Sequence, residues 1–152
     1  MIGKLGKALE PYQDLGSLCL RVALGIIFIA HGSQKLFGLF GGGGLQATAQ
    51  GFAQMGFQPG LFWATVVACT EFFGGLGVLL GVATRLAALL LGIVMLVAMV
   101  KVHLPNGFFL NFMLTPGVGH GIEYNVALLG ACLALVFGGS GKYSLECATC
   151  KE

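Results

Sequence analysis

Charge is what this 152-residue chain has least of: 8 basic and 6 acidic residues, 9% of the total, scattered along its length. Nucleic acid is therefore not an expected partner, because its recognition needs a basic patch or stripe. His31, His103 and His120 fall on separate segments, and no two helical histidines stand four apart, so no metal site is expected. No flavin, haem or iron–sulfur motif is legible, so no intrinsic cofactor is expected either. The stretch Met1 to Asp14 carries Lys4 and Lys7 without a short apolar core or a small-residue cleavage pattern, and no cleaved signal peptide is read there.

Hydrophobic residues make up 57% of the chain, and its mean hydropathy is +0.90. That exceeds what a soluble fold buries, so the surplus must face lipid. A hydrocarbon core of about 30 Å requires roughly 20 apolar residues per crossing at about 1.5 Å rise. The chain has room for four crossings with short links. The expected fold is an all-α integral membrane four-helix bundle with helices at 15–36, 61–81, 84–103 and 121–137. Residues 1–14 form a cytoplasmic segment and 144–152 a cytoplasmic tail.

Local signals set these boundaries. The run Gly41 to Gly44 stops the first helix, Pro59 opens the second, and Pro105-Asn106-Gly107 ends the third. The half-polar stretch Leu45 to Phe57 has helical spacing and reads as a short interfacial helix between helices one and two. Between helices three and four, Phe108 to Gly121 mixes Phe108, Phe109 and Phe112 with Thr115-Pro116-Gly117 and reads as a partly re-entrant loop. Lys4, Lys7, Arg85, Lys142 and Lys151 fall on one side, against Lys35 and Lys101 on the other. Both termini are thus expected in the cytoplasm.

Ionisable residues inside such helices point to function or to pairing. Arg21, Gly25, Phe28, His31, Gly32 and Lys35 share an arc of about 120° on a helical wheel. Glu71, Gly74, Gly75 and Val78 form a similar face on helix two, as do Glu123, Ala127, Gly130 and Ala134 on helix four. These small-residue stripes are expected at the bundle centre. Depths from the helix rise predict a buried Arg21–Glu71 pair in the inner half and a His31, Lys35, Lys101, His103 and Glu123 layer toward the outer face. Lys35 and Lys101 suit either snorkelling to headgroups or a site. Cys19, Cys69 and Cys132 read as small core residues. Cys147 and Cys150 have C-x-x-C spacing, which supports a reversible disulfide or half a metal site.

Several blocks resemble the DoxX family of small bacterial membrane proteins. They are Leu24-Gly25-Ile26-Ile27-Phe28-Ile29-Ala30-His31-Gly32-Ser33-Gln34-Lys35-Leu36, Glu71-Phe72-Phe73-Gly74-Gly75-Leu76 with Leu80 to Ala88, Pro105 to Phe109, and Glu123 to Leu129. The resemblance runs from Leu15 to Tyr143 and implies a four-helix protein of the bacterial inner membrane, linked to quinone or thiol redox complexes. It maps the family's polar residues onto Arg21, His31, Lys35, Glu71, Arg85, His103 and Glu123. The Cys147 and Cys150 pair lies outside that pattern.

The expected function is a membrane subunit of a quinone- or thiol-linked oxidoreductase complex, at most part of an enzyme. His31, Lys35, His103 and Glu123 would supply protons to a quinone between walls of Phe28, Phe108 and Tyr124. Besides the lipid bilayer, the expected partners are a soluble or membrane oxidoreductase and a second copy of the chain. A small-solute transporter and a non-catalytic anchor or assembly factor stand as alternatives.

Overall fold

The computed structural model describes residues 7–149, which are helical without any strand. Six helices follow in order: α1 Gln13–Phe37, α2 Gly44–Gln54, α3 Gly60–Leu80, α4 Thr84–Ala98, α5 Glu123–Gly138 and α6 Leu145–Thr149. Helix α4 continues through a π turn, Met99–His103, and a 3-10 turn, Leu104–Asn106. Three segments are long and apolar enough to cross a membrane: 7–37, 60–80 and 84–106. Helix α5 is apolar but has only 16 residues.

The long helices alternate in direction: Gly25 and Gly32 of α1 face Leu79 and Phe72 of α3, Gly74 and Gly77 of α3 face Leu91 and Ala87 of α4, and Arg85 and Met95 of α4 meet Val136 and Asn125 of α5. Helix α1 packs on α3, α3 on α4, α4 on α5, and α5 on α1, while α2 lies against α1 and α3. A core of Leu24, Phe28, Val78, Leu91, Leu128 and Leu135 joins all four long helices. Lipid tails are as apolar as these side chains, so close packing, not exclusion from water, holds the helices together. Among the long helices the closest approach is between α1 and α3. A Cβ at Gly32 would come within 2.5 Å of Phe72 N, and one at Gly25 within 2.6 Å of Leu79 Cβ. Only glycine permits that approach.

This register staggers the pair. Gly32 opposite Phe72 and Gly25 opposite Leu79 set Glu71 beside Ser33, whereas Arg21 stands beyond the last turn of α3. Twelve residues from Arg21 to Ser33 are about 18 Å along a helix. The expected Arg21–Glu71 pair therefore does not form. Its premise was flush helix ends, and α1 is instead displaced toward its own N-terminus.

A second expectation fails on α5. Ala127, Gly130 and Ala134 are exposed, and a Cβ at Gly130 would meet nothing within 4 Å. The buried face is Asn125, Leu128, Cys132 and Leu135. A helix that is apolar all round carries little periodic signal, so its inward face is not legible from small residues. Between Gly38 and Gly43 the chain turns sharply, and α2 then presents Gln46, Gln50 and Gln54 outward while burying Ala49.

Candidate functional site

The charged groups sort into three places, two along the α1–α3 pair and one between α4 and α5. At the middle of α3, Glu71 is 3% exposed and accepts a hydrogen bond from Lys35 Nζ at 2.5 Å. The α1–α3 register that excludes Arg21 brings Lys35 here, two residues beyond Ser33, which is buried. His31 lies one turn before Lys35 at the edge of the polar arc, and the structure turns it outward, exposed. Beside this group, Phe72 stacks edge-on against Phe37 and Phe73, with ring centroids 5.4 and 5.2 Å apart. Phe37 and Phe73 are more than half exposed, which leaves an aromatic wall on the outside of the α1–α3 pair.

Arg21 has a structural task at the opposite end. Its Nε donates to Val78 O at 2.9 Å and its Nη2 to Leu79 O at 2.9 Å, while Nη1 donates to Ser140 O and Tyr143 O at 2.8 Å. The last carbonyls of α3 have no partner within the helix, and a fork of fixed donors suits them. Gly81, at φ 72°, ends α3 and lies against the guanidinium. Its carbonyl accepts the Glu146 N–H at 3.0 Å, so the chain after α5 is pinned to the same end. Arg85 does likewise for α5, donating to Val136 O and Phe137 O. A cation at a helix C-terminus also complements its dipole.

The third group sits where α4 hands over to α5. His103 Nδ1 donates to His120 O at 2.9 Å, and Asn106 Nδ2 donates to the same oxygen at 3.3 Å. His120 Nδ1 accepts the Asn111 N–H, and Glu123 Oε2 accepts the Leu110 N–H. Three backbone bonds, from Gly121, Ile122 and Glu123 to Phe109, Gly107 and Phe108, close the neck of the 107–122 loop.

The expected proton-supplying set is thus divided. Lys35 pairs with Glu71 and His31 lies one turn from it, whereas His103 and Glu123 serve the loop neck; among the described residues no hydrogen bond or ion pair links the two groups. The expected pocket walls do not face one cavity. Phe28 is 1% exposed inside the core, while Phe108 and Tyr124 are exposed. Lys101 is exposed on the π turn. A groove of about 400 Å³ opens instead at the arginine end, between Gln13, Asp14, Ser17, Leu135 and Gly139. Cys147 is half-buried, its N–H donating to Ser144 Oγ, and Cys150 lies outside the described residues. Reading single helices missed the Lys35–Glu71 pair, and the signal that could have found it is the matching of Gly25 and Gly32 with Gly75 and Phe72.

The DoxX family model matches residues 16–104, from the second turn of α1 through the end of the π turn. The chain belongs to the DoxX family. Among curated relatives, it is 32% identical over 133 residues to "Putative oxidoreductase CatD" of Bacillus subtilis, covering 88% of this chain and 86% of that one. It is 33% identical over 140 residues to "Inner membrane protein YqjF" of Escherichia coli, covering 91% and 95%. With "Uncharacterized membrane protein Rv3486" of Mycobacterium tuberculosis it shares 29% identity over 132 residues, covering 85% and 78%. No solved structure matches. This DoxX chain is accordingly a membrane protein whose long apolar helices lie in a lipid bilayer.

Proposed function

We propose that this DoxX protein is a multi-pass inner-membrane subunit of a quinone- or thiol-linked oxidoreductase complex, and that its working site is His31, Lys35 and Glu71. In this reading α5 completes a fourth crossing, and the loop before it is partly re-entrant. Both termini lie in the cytoplasm, a topology supported by Lys7, Arg85 and Lys142 at the arginine end.

The observation that carries the reading is a buried mid-helix carboxylate, Glu71, paired with the part-buried Lys35 of the last turn of α1, with a histidine one turn before that lysine turned outward. Pairing lowers the penalty for Lys35 and Glu71, but an exposed imidazole among lipid-facing residues gains nothing structurally and suits a ligand that arrives through lipid. A quinone is such a ligand. Its two carbonyl oxygens take donors, which the Lys35 ammonium and the His31 N–H supply, and its flat ring suits the Phe37, Phe72 and Phe73 wall. Reduction to the quinol consumes two electrons and two protons. The electrons come from a partner oxidoreductase, or from two thiols that close to a disulfide. Lys35, His31 and Glu71 relay the protons.

Titration of a short-chain quinone into the protein in lipid nanodiscs tests this. His31→Ala and Lys35→Met should each weaken binding about tenfold, equivalent to ~1.4 kcal/mol, and His103→Ala should leave it unchanged. Wild-type affinity in both site variants would remove the site.

One further reading has its own support. Arg21 and Arg85 spend every described bond on backbone carbonyls, as expected of an anchor whose charges are architectural. An anchor predicts no saturable quinone binding and a partner enzyme that co-purifies regardless of His31.

A further inference from the structure

From residue 102 to 122 the chain runs without a Lys, Arg, Asp or Glu. The loop within it is nevertheless ordered, and its order comes from internal hydrogen bonds. The Asn111 side chain is the hub: Nδ2 donates to Thr115 O at 3.1 Å and Val118 O at 2.9 Å, and Oδ1 accepts the Thr115 N–H at 3.1 Å. Together with the neck and the bonds from Phe112 N–H to Leu110 O and from Leu114 N–H to Asn111 O, these bonds give much of the loop backbone a partner within the loop, while the carbonyls of Phe112, Met113 and Leu114 have none among the described residues. The side chains at the tip point outward and are apolar: Phe112 is 77% exposed, Met113 90% and Leu114 74%.

Over water a loop has no need to satisfy its own backbone, because solvent does so. In hydrocarbon every polar backbone group must find a partner within the protein, and irregular backbone survives there only when it does. Moreover, the segment that leads into the loop is itself apolar where it is exposed, at Val97 on α4 and at Val100 and Leu104 on the turns that follow it. Helix α5 also needs help. Its 16 residues span about 24 Å against a core of about 30 Å.

We propose that the side chains of Phe112, Met113 and Leu114 form a preformed wedge that inserts into the acyl chains of the leaflet at the loop end while the tip carbonyls stay at headgroup level, with Asn111 as the internal hydrogen-bonding group that lets the rest of the loop backbone approach the hydrocarbon. The wedge supplies the apolar depth that α5 lacks. It rests on the fourth crossing and partly re-entrant loop proposed above, and not on quinone binding.

A single-tryptophan reporter tests it. In a Trp63→Phe background, Met113→Trp is reconstituted into phosphatidylcholine vesicles carrying brominated acyl chains, with Leu133→Trp on α5 as a companion. Circular dichroism checks helicity, and Phe112→Trp replaces Met113→Trp if that variant does not fold. The wedge predicts blue-shifted emission at the tip, strong quenching by the bromines and protection from acrylamide. Adding Asn111→Leu should at least halve the bromine quenching at unchanged helicity; unchanged quenching would overturn the role of Asn111. Acrylamide-accessible emission at the tip with bromine quenching at Leu133→Trp would overturn the wedge while leaving the crossing in place. Loss of bromine quenching at both positions would overturn the topology as well.

Discussion

Lys35 Nζ meets Glu71 Oε2 across the α1–α3 contact, and the partners are unequally placed: 26% of the Lys35 side chain is exposed but only 4% of Glu71. A lysine deprived of its partner can swing its ammonium outward, whereas a buried carboxylate cannot. That asymmetry is measurable.

Lys35→Met should destabilise the protein more than Glu71→Gln does. The first leaves an uncompensated buried carboxylate, on the order of 3 kcal/mol, and the second should fall below about 1.5 kcal/mol. Thermal unfolding in mild detergent measures both, and the double variant gives the coupling. Equal losses would mean that Glu71 reaches water.

Arg21→Lys removes the fork while keeping the charge. An ammonium has three donors and no fixed plane, so it cannot serve Val78, Leu79, Ser140 and Tyr143 together. The expected result is faster tryptic cleavage after Lys142 and a loss of about 2 kcal/mol in stability, at about 1 kcal/mol per carbonyl left unserved. Arg85→Lys should leave cleavage at Lys142 closer to wild type, since Arg85 holds only the end of α5.

Two glycine substitutions should separate cleanly. Gly32→Ala drives a methyl against the Phe72 backbone and should lower stability by about 1–3 kcal/mol. Gly130→Ala meets open space on a helix and should be neutral or stabilising by up to about 1 kcal/mol. Melting temperatures of the two variants, measured side by side, decide it. A destabilised Gly130→Ala would point to a neighbouring chain packed on α5.

His103→Ala should loosen the 107–122 loop without touching the Lys35 group. It deletes the bond to His120 O, leaving Asn106 to hold that oxygen. Hydrogen exchange of amides 107–122 should quicken by about tenfold, equivalent to ~1.4 kcal/mol of local opening, while amides in α3 keep their protection. Unchanged exchange would show that the neck is held by its backbone bonds alone.

Much of the architecture was legible from the residues. The apolar runs marked the three long spans, and the turn residues placed α2, the break before α3 and the loop after α4 within a few positions. The family was legible too, from the blocks around His31 and Glu71. Composition and turn chemistry act within a few residues of themselves, so a chain reading captures them.

Pairing is another matter. The sequence by itself determined that Arg21, Lys35 and Glu71 had to be sheltered, since charge in hydrocarbon must be matched. Which of them met was decided only by the tertiary structure, because Gly25 and Gly32 lock α1 against α3 in a staggered register. That shift hands Glu71 to Lys35 and leaves Arg21 to the carbonyls at the end of α3. It also sets His31, one turn before Lys35 and turned outward, near that pair, since a displacement of a few turns exchanges one set of neighbours for another.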